Sequence, residues 1–368
     1  MGRRTTTILA ATDLGATGTK VIEINLKEQM SALYLIWKFT IVTVSVMIGN
    51  ALKCISKIEL VDGAKVMLSV SGRAAQAAAF YASGVMPLNQ HSLTVGGIVT
   101  AVVPIFFGRA LWDELYAFRP DVFDNPQLRI TFDEDAANTS TVVNSLAVLA
   151  AVDDSPKSGK ANGFLFLREH KSYPMAASAV EYTQLPTDYP IRRLFLQGLS
   201  TDHDTVTLFG DVKISIENDR VIPIDITFEQ LFEMVSARYG PVSENHILDA
   251  VVTAKTLFPT TCQDNDIRIN YDGTAFVTAQ SLFAVATYTG EQIALAASVD
   301  IKADTGIVSG YLPHGVLPID FGDPMDPETW LPVAGISNIR AEIEGSSDAD
   351  SGDQATIITQ QPVLYGQR

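Results

Sequence analysis

The stretch of this chain best suited to chemistry is Thr12-Asp13-Leu14-Gly15-Ala16-Thr17-Gly18-Thr19-Lys20. An aspartate, glycines and a lysine at that spacing could handle a magnesium-bound water while backbone N–H groups approach a phosphate. The remaining candidates are thinner. Asp348-Ala349-Asp350-Ser351-Gly352-Asp353 alternates carboxylates around a glycine as a calcium loop does, but no distal bidentate Glu follows, so it reads as a solvated hairpin tip. Asp202-His203-Asp204 and Asp264-Asn265-Asp266 read as turns, and Asp133-Glu134-Asp135 as a strand end entering a loop. The histidines His91, His170, His203, His246 and His314 are scattered, with no His-x-x-x-His pair, no Gly-x-Ser-x-Gly elbow and no Cys-x-x-Cys. Carboxylates paired from distant strands, as on β-sandwich glycosidases, are left open by spacing alone.

The elements around these residues decide between the readings. Asp13–Lys20 resembles the first phosphate loop of the actin-like sugar kinases, which joins the first two strands of an α/β domain. Here no alternating helices follow and no second Asp-bearing phosphate loop occurs, so the segment reads as part of a flexible N-terminal arm. Met1-Gly2-Arg3-Arg4-Thr5-Thr6 also fits, weakly, the pattern for N-myristoylation.

Composition excludes whole classes. The 368 residues are 47% hydrophobic and 18% charged, below the usual charged share of about 25%, which rules out a largely disordered chain. The net charge of −16, without a Lys/Arg run, is wrong for a general nucleic-acid binder. It is also lopsided: residues 1–160 hold 14 acids and 14 bases, and residues 161–368 hold 28 and 12. Cys54 and Cys262 cannot make a disulfide framework and read as buried small hydrophobes. The most apolar run, 33–48, carries Lys38 and is rich in β-branched and aromatic residues, so it reads as strand rather than membrane span or signal peptide.

Short strands split by Gly, Pro, Asn and Asp dominate. They are predicted at Thr40–Met47, Cys54–Val61, Lys65–Ser71, Ser92–Phe107, Leu128–Phe132 and Thr141–Ala150. A turn-rich stretch at Asp153–Lys160 follows as the linker. Further strands are predicted at Gly163–Glu169, Ala179–Gln184, Ile191–Leu199, Thr205–Glu217, Val221–Ile226, Ile267–Tyr271, Ala275–Thr287, Ile293–Ile301, Gly306–Ile319, Ile336–Ile343 and Ala355–Val363. Two helices interrupt them. One spans Thr227–Tyr239, with a Thr227/Gln230 capping box and an apolar face of Phe228, Leu231, Phe232 and Val235. The other is Ala-rich, Arg73–Ala82, stopped by Gly84. A shift of 156 residues lays the strand, turn, strand, helix, glycine block at 54–84 on the one at 210–240, which predicts two similar β-domains in tandem.

That order resembles the double jelly-roll major capsid proteins of tailless icosahedral viruses, many with an internal membrane. The resemblance rests on the repeated block, on Pro104–Arg109, Trp112-Asp113 and Asn125–Ile130, and on Leu312–Val316, Phe321-Gly322 and Asp326–Trp330. It implies an all-β chain of two tandem eight-stranded jelly rolls (β-sandwiches), each with a short flanking helix. The boundaries expected are an arm at 1–34, a first roll at 35–155, a linker at 156–161 and a second roll at 162–368. It further implies a non-enzymatic coat subunit of the virion, made in the host cytoplasm. This subunit would trimerise into pseudo-hexagonal capsomers that contact other capsomers and virion proteins, with Arg3, Arg4 and Lys20 of the arm toward an internal membrane. No catalytic residue, cofactor, metal-ligand set or nucleic-acid site is assigned. The competing readings are a secreted carbohydrate-binding or carbohydrate-active β-sandwich and the phosphate-loop kinase.

Overall fold

The structure, a computed structural model, describes residues 2–41, 47–94, 96–137, 143–154, 159–248, 255–271, 275–278, 286–295 and 303–366. The first half contains β1 (Arg3–Asp13), β2 (Thr17–Glu23), β3 (Gln29–Thr40), β4 (Ile55–Asp62), β5 (Lys65–Val70), helix α1 (Gly72–Ser83), β6 (Asn89–Ser92), β7 (Ile98–Phe106), β8 (Pro126–Asp133) and β9 (Val143–Asp153). These pair as β1-β9-β3-β7-β6 and β2-β8-β4-β5, antiparallel throughout. Eight strands in this order, with β6 added, make a jelly roll.

The second half repeats it with β10 (Gly163–Pro174), β11 (Val180–Gln184), β12 (Arg193–Leu199), α2 (Thr205–Leu208), β13 (Phe209–Ile216), β14 (Val221–Thr227), α3 (Phe228–Arg238) and an insertion. The insertion holds β15 (Val242–Ile247), β16 (Lys255–Leu257), β17 (Thr261–Tyr271), β18 (Ala275–Thr278), β19 (Ala286–Thr289), β20 (Gln292–Leu295) and β21 (Ala303–Pro313). β22 (Val316–Asp320), β23 (Ile339–Gly345) and β24 (Gln354–Leu364) close the roll. Its sheets run β10-β24-β12-β22 and β11-β23-β13-β14, the order of the first roll. The block β4-β5-α1 thus has its counterpart in β13-β14-α3. The chain is two tandem eight-stranded jelly rolls.

Local chemistry accounts for the repeated block. Thr227 and Gln230 form a reciprocal capping box on α3, as their spacing predicts. Ser71 caps α1 by accepting from the Ala74 N–H, and Gly84 ends it in the left-handed region at φ 71, where a side chain would be strained. The β4–β5 turn carries Gly63 at φ 58, which fixes the hairpin register. In β3, Leu33, Leu35, Trp37 and Phe39 are buried at period two and fill the first core with Ile58, Leu60, Phe132 and Leu146. The second core gathers Leu194, Leu196, Val212, Ile214, Phe228 and Ile343.

The arm expected over 1–34 is corrected. β1 pairs with β9 from Arg3↔Asp153 to Asp13↔Ser145, and β2 pairs with β8. β1 carries few apolar residues because it is an edge strand exposed along most of its length. Arg3 pairs with Asp153, and Arg4 with Asp154 and Glu28. Two of the three cations that suggested a lipid-facing arm, Arg3 and Arg4, are therefore used within the fold. The strand expected at Ser92–Phe107 is two, β6 and β7, and that at Gly306–Ile319 is β21 and β22 around His314 and Gly315, both at positive φ. Residues 155–158 of the expected linker, residues 42–46 of the strand at Thr40–Met47, and parts of those at Ala275–Thr287 and Ile293–Ile301 lie outside the described residues. Among the described residues no helix is long and apolar enough to cross a membrane.

Candidate functional site

Two parallel strand pairs join the halves, in contrast to the antiparallel ladders within each roll. β5 meets β10 at Ser69↔Arg168, and β6 meets β15 at Gln90↔Asn245, His91↔His246 and Ser92↔Ile247. The insertion of the second half therefore extends the first roll's sheet as β6-β15-β21-β17-β18. Helix α1 lies under this joint, with Ala74, Ala77, Ala78, Phe80 and Tyr81 buried.

A buried polar network crosses the joint. Gln76 of α1, with no exposed surface, donates to Asn89 Oδ1 (2.8 Å) and to the Val102 carbonyl (2.7 Å). Its Oε1 accepts from Asn89 Nδ2 (3.0 Å) and faces His314 Nε2 at 2.8 Å. Asn89 also donates to Thr260 Oγ1 (2.9 Å), and the Thr260 N–H donates to Glu244 Oε1 (2.7 Å). Glu244 faces His91 Nε2 through Oε2 and His246 Nε2 through Oε1, each at 3.1 Å. The two imidazoles stack at 4.4 Å, 8° from parallel. Burial alone would push the Glu244 carboxyl up, but His91 and His246 outweigh it and hold the group well below the usual range.

Further anchors flank the network. Arg193, which is fully buried, pairs with Asp320 and donates to the Tyr81 carbonyl (3.1 Å), while Tyr81 Oη donates to the Val316 carbonyl (2.7 Å). The β7–β8 loop meets the β22–β23 loop: Arg109 pairs with Asp113 and donates to the Met325 carbonyl (2.6 Å), and Tyr116 stacks on Trp330 at 5.8 Å. Residues 109–116 and 325–330, which lie within two of the stretches that carried the resemblance, thus face each other.

Burial, with Arg73 second, pushes the His314 imidazole down to about 3. The unfolded chain takes up that proton below about pH 6.5 and the native fold excludes it, so stability falls as pH drops from there toward 3. This one group contributes up to about 1.4 kcal/mol per pH unit. Urea midpoints measured between about pH 7 and pH 4 should fall more steeply for the wild type than for His314→Gln. Equal slopes would remove His314 as the source.

The second feature is an open edge. Where β5 of the first roll meets β10, the equivalent β14 is the edge of its sheet among the described residues, and α3 beside it stays mostly exposed although Phe232 packs on Tyr311. Between β14, α3 and β22 lies a groove of about 710 Å³ lined by Ile222, Ile224, Ile226, Met234 and Pro318. Val221, Ile222 and Met234 are exposed. β1, the counterpart of β10, is likewise an uncovered sheet edge.

The sequence-level candidates end elsewhere. Asp13 Oδ1 accepts from the Gly15 N–H (3.2 Å) in the turn between β1 and β2, and Thr17 and Lys20 lie in the β2–β8 ladder, so the phosphate-loop reading is corrected to a strand connection. In the 348–353 tip, Asp350 and Asp353 accept backbone N–H groups. Asp264–Asp266 form a bulge within β17 rather than a turn between strands. Asp202–Asp204 lead into α2. Asp133 accepts from the Asp135 N–H where β8 ends, as expected. His170 Nε2 faces the Gln184 carbonyl, and His203 sits in the loop after β12. Cys54 and Cys262 are both buried and unpaired in disulfides, and burial pushes the Cys54 thiol up to about 12 and that of Cys262 well above its ordinary value. Sequence reasoning missed the gathering of His91, Glu244 and His246. The available signal was Glu244-x-His246 at strand period, but its partner lies in the other half.

No protein-family model matches the sequence, and no curated protein matches it. Solved structures do. The STIV major capsid protein superposes with a TM-score of 0.62 at 12% identity, over 98% of this chain and 97% of that chain. The Sulfolobus Turreted Icosahedral Virus structure gives 0.61 at 12%, over 99% and 91%. The major capsid protein of bacteriophage PM2 gives 0.51 at 11%, over 100% and 99%. Strand order and superposition over the full length agree: the fold is the double jelly roll of viral major capsid proteins.

Proposed function

We propose that this chain is the major capsid protein of an icosahedral virus, a structural subunit of the virion that acts as a homotrimer. The observation that carries the proposal is the pair of unfilled edges matching the joint inside the chain. Within one chain, the β5 edge of the first roll receives β10. Repeating that joint between chains sets the β14/α3 edge of one copy against β1 of the next. Such a head-to-tail contact uses two different surfaces and closes into a three-membered ring when each step turns by one third of a full rotation. With two rolls per chain, three chains give six similar lobes, a shape that tiles a hexagonal lattice.

The low charged share and the apolar groove fit a surface partly covered by neighbours. The structures it resembles are those of capsid proteins, and we assign this chain no catalytic residue. Other capsomers and virion proteins are its further partners. Pairing of Arg3 and Arg4 within the fold leaves Lys20 as the cation that supports contact with an internal membrane.

Light scattering on the purified chain should give about 119 kDa, three times its 39.8 kDa. Ile224→Asp places a charge in the groove, a desolvation cost of several kcal/mol at a packed interface, and should leave folded monomer. A wild-type monomer that hydrolyses or binds a glycan would favour the carbohydrate-active sandwich instead.

A further inference from the structure

We propose that His91, Glu244 and His246 form a binding site for a divalent transition-metal ion of the zinc class, which would staple the two halves of the chain together. The three side chains are buried, and their ligand atoms lie within 4.8 Å of one another. The placement follows from the backbone. His91 and His246 are register partners on the parallel strands β6 and β15, so both rings project to the same face. Glu244 precedes His246 by two residues, which returns it to that face.

The geometry suits a metal. Each imidazole Nε2 lies 3.1 Å from a carboxylate oxygen, and ligands at 2.0–2.1 Å around a tetrahedral ion stand roughly 3.3 Å apart. Two imidazoles and a carboxylate are a donor set zinc takes readily, whereas calcium and magnesium prefer oxygen alone. A cavity of about 10 Å³ touches both rings and is bounded by Met47, Val99 and Phe258. That is about the least room that admits one water, which would complete the coordination. The Thr260 N–H holds Glu244 from behind, the kind of outer contact that fixes a ligand's orientation. Within a jelly-roll interior an apolar trio would fill the same space without desolvating a carboxylate, so packing alone does not call for these residues. On binding, each imidazole presents a bare nitrogen and any proton there is released to solvent.

The test uses the full wild-type chain, stripped with chelator and titrated with Co²⁺ as a visible probe. The expected result is about one ion per chain, visible bands of a tetrahedral nitrogen–oxygen site, their displacement by Zn²⁺ but not by Ca²⁺, and a higher Tm with Zn²⁺ than with chelator. His246→Asn should weaken binding at least about tenfold. Absence of stoichiometric Co²⁺ from the folded wild type would overturn the proposal and leave a hydrogen-bonded clamp. So would binding that survives His246→Asn. If that variant does not fold, the wild-type spectrum and the Ca²⁺ comparison still decide.

Discussion

Replacing Gln76 with alanine is expected to cost about 3–5 kcal/mol of stability, because buried donors and acceptors lose their partners together. Gln76 uses both amide hydrogens and both carbonyl lone pairs, on Asn89, the Val102 carbonyl and His314. Alanine leaves the half-buried Asn89 amide, the Val102 carbonyl and the buried His314 ring without those bonds. Each stranded group costs about 1–3 kcal/mol, with some relief from re-pairing. The damage falls at the joint, since Gln76 belongs to the first roll and His314 to the turn between β21 and β22. Urea denaturation monitored by circular dichroism measures it. Gln76→Leu/His314→Leu, which removes donor and acceptor together, should recover part of the loss, because an apolar pair desolvates nothing. A cost below about 1 kcal/mol for Gln76→Ala would show that the network does not hold the halves together.

Trp330→Ala should be comparably severe, again about 3–5 kcal/mol. The side chain is 2% exposed, its Nε1–H donates to the Asp323 carbonyl (3.1 Å), and its ring lies on Tyr116 and near the Arg192 guanidinium at 5.9 Å. Truncation removes a large buried surface and opens a cavity between the loops that follow β7 and β22. Arg192, buried and already bonded to the Pro324 carbonyl, would lose its aromatic face. Hydrogen exchange should quicken in residues 321–338 before the rest of the second roll, and Trp330→Phe should retain most of the stability. Unchanged exchange there would mean the loop is held by its internal turn alone.

What the residues disclose and what they hide follows from the range of each interaction. The capping box at Thr227, the left-handed Gly84 and the β4–β5 turn are local, and local chemistry reads directly from sequence. The 156-residue repeat was legible because both copies of strand, turn, strand and helix keep their order. β1 was missed because an exposed edge strand lacks the alternating apolar pattern of β3. The insertion's later strands were visible individually, but β15 and β16 were not, and the attachment to the first roll's sheet depends on β6 and β15, far apart in the chain. The His91–His246 register has the same origin: no local spacing encodes it, and only closure of the joint brings the two rings together. Asp13–Lys20 and Asp348–Asp353 misled in the opposite direction, since turn-forming carboxylates and glycines are the same residues that cradle ions.

In the proposed function, the joint inside one chain is repeated between chains to close a ring of coat subunits. Cryo-electron microscopy of the purified protein in solution decides whether it is. Class averages with six similar lobes around a threefold axis, β14 of one chain beside β1 of the next, are the predicted result. Isolated two-lobed particles at every concentration, with both edges bare, would contradict it.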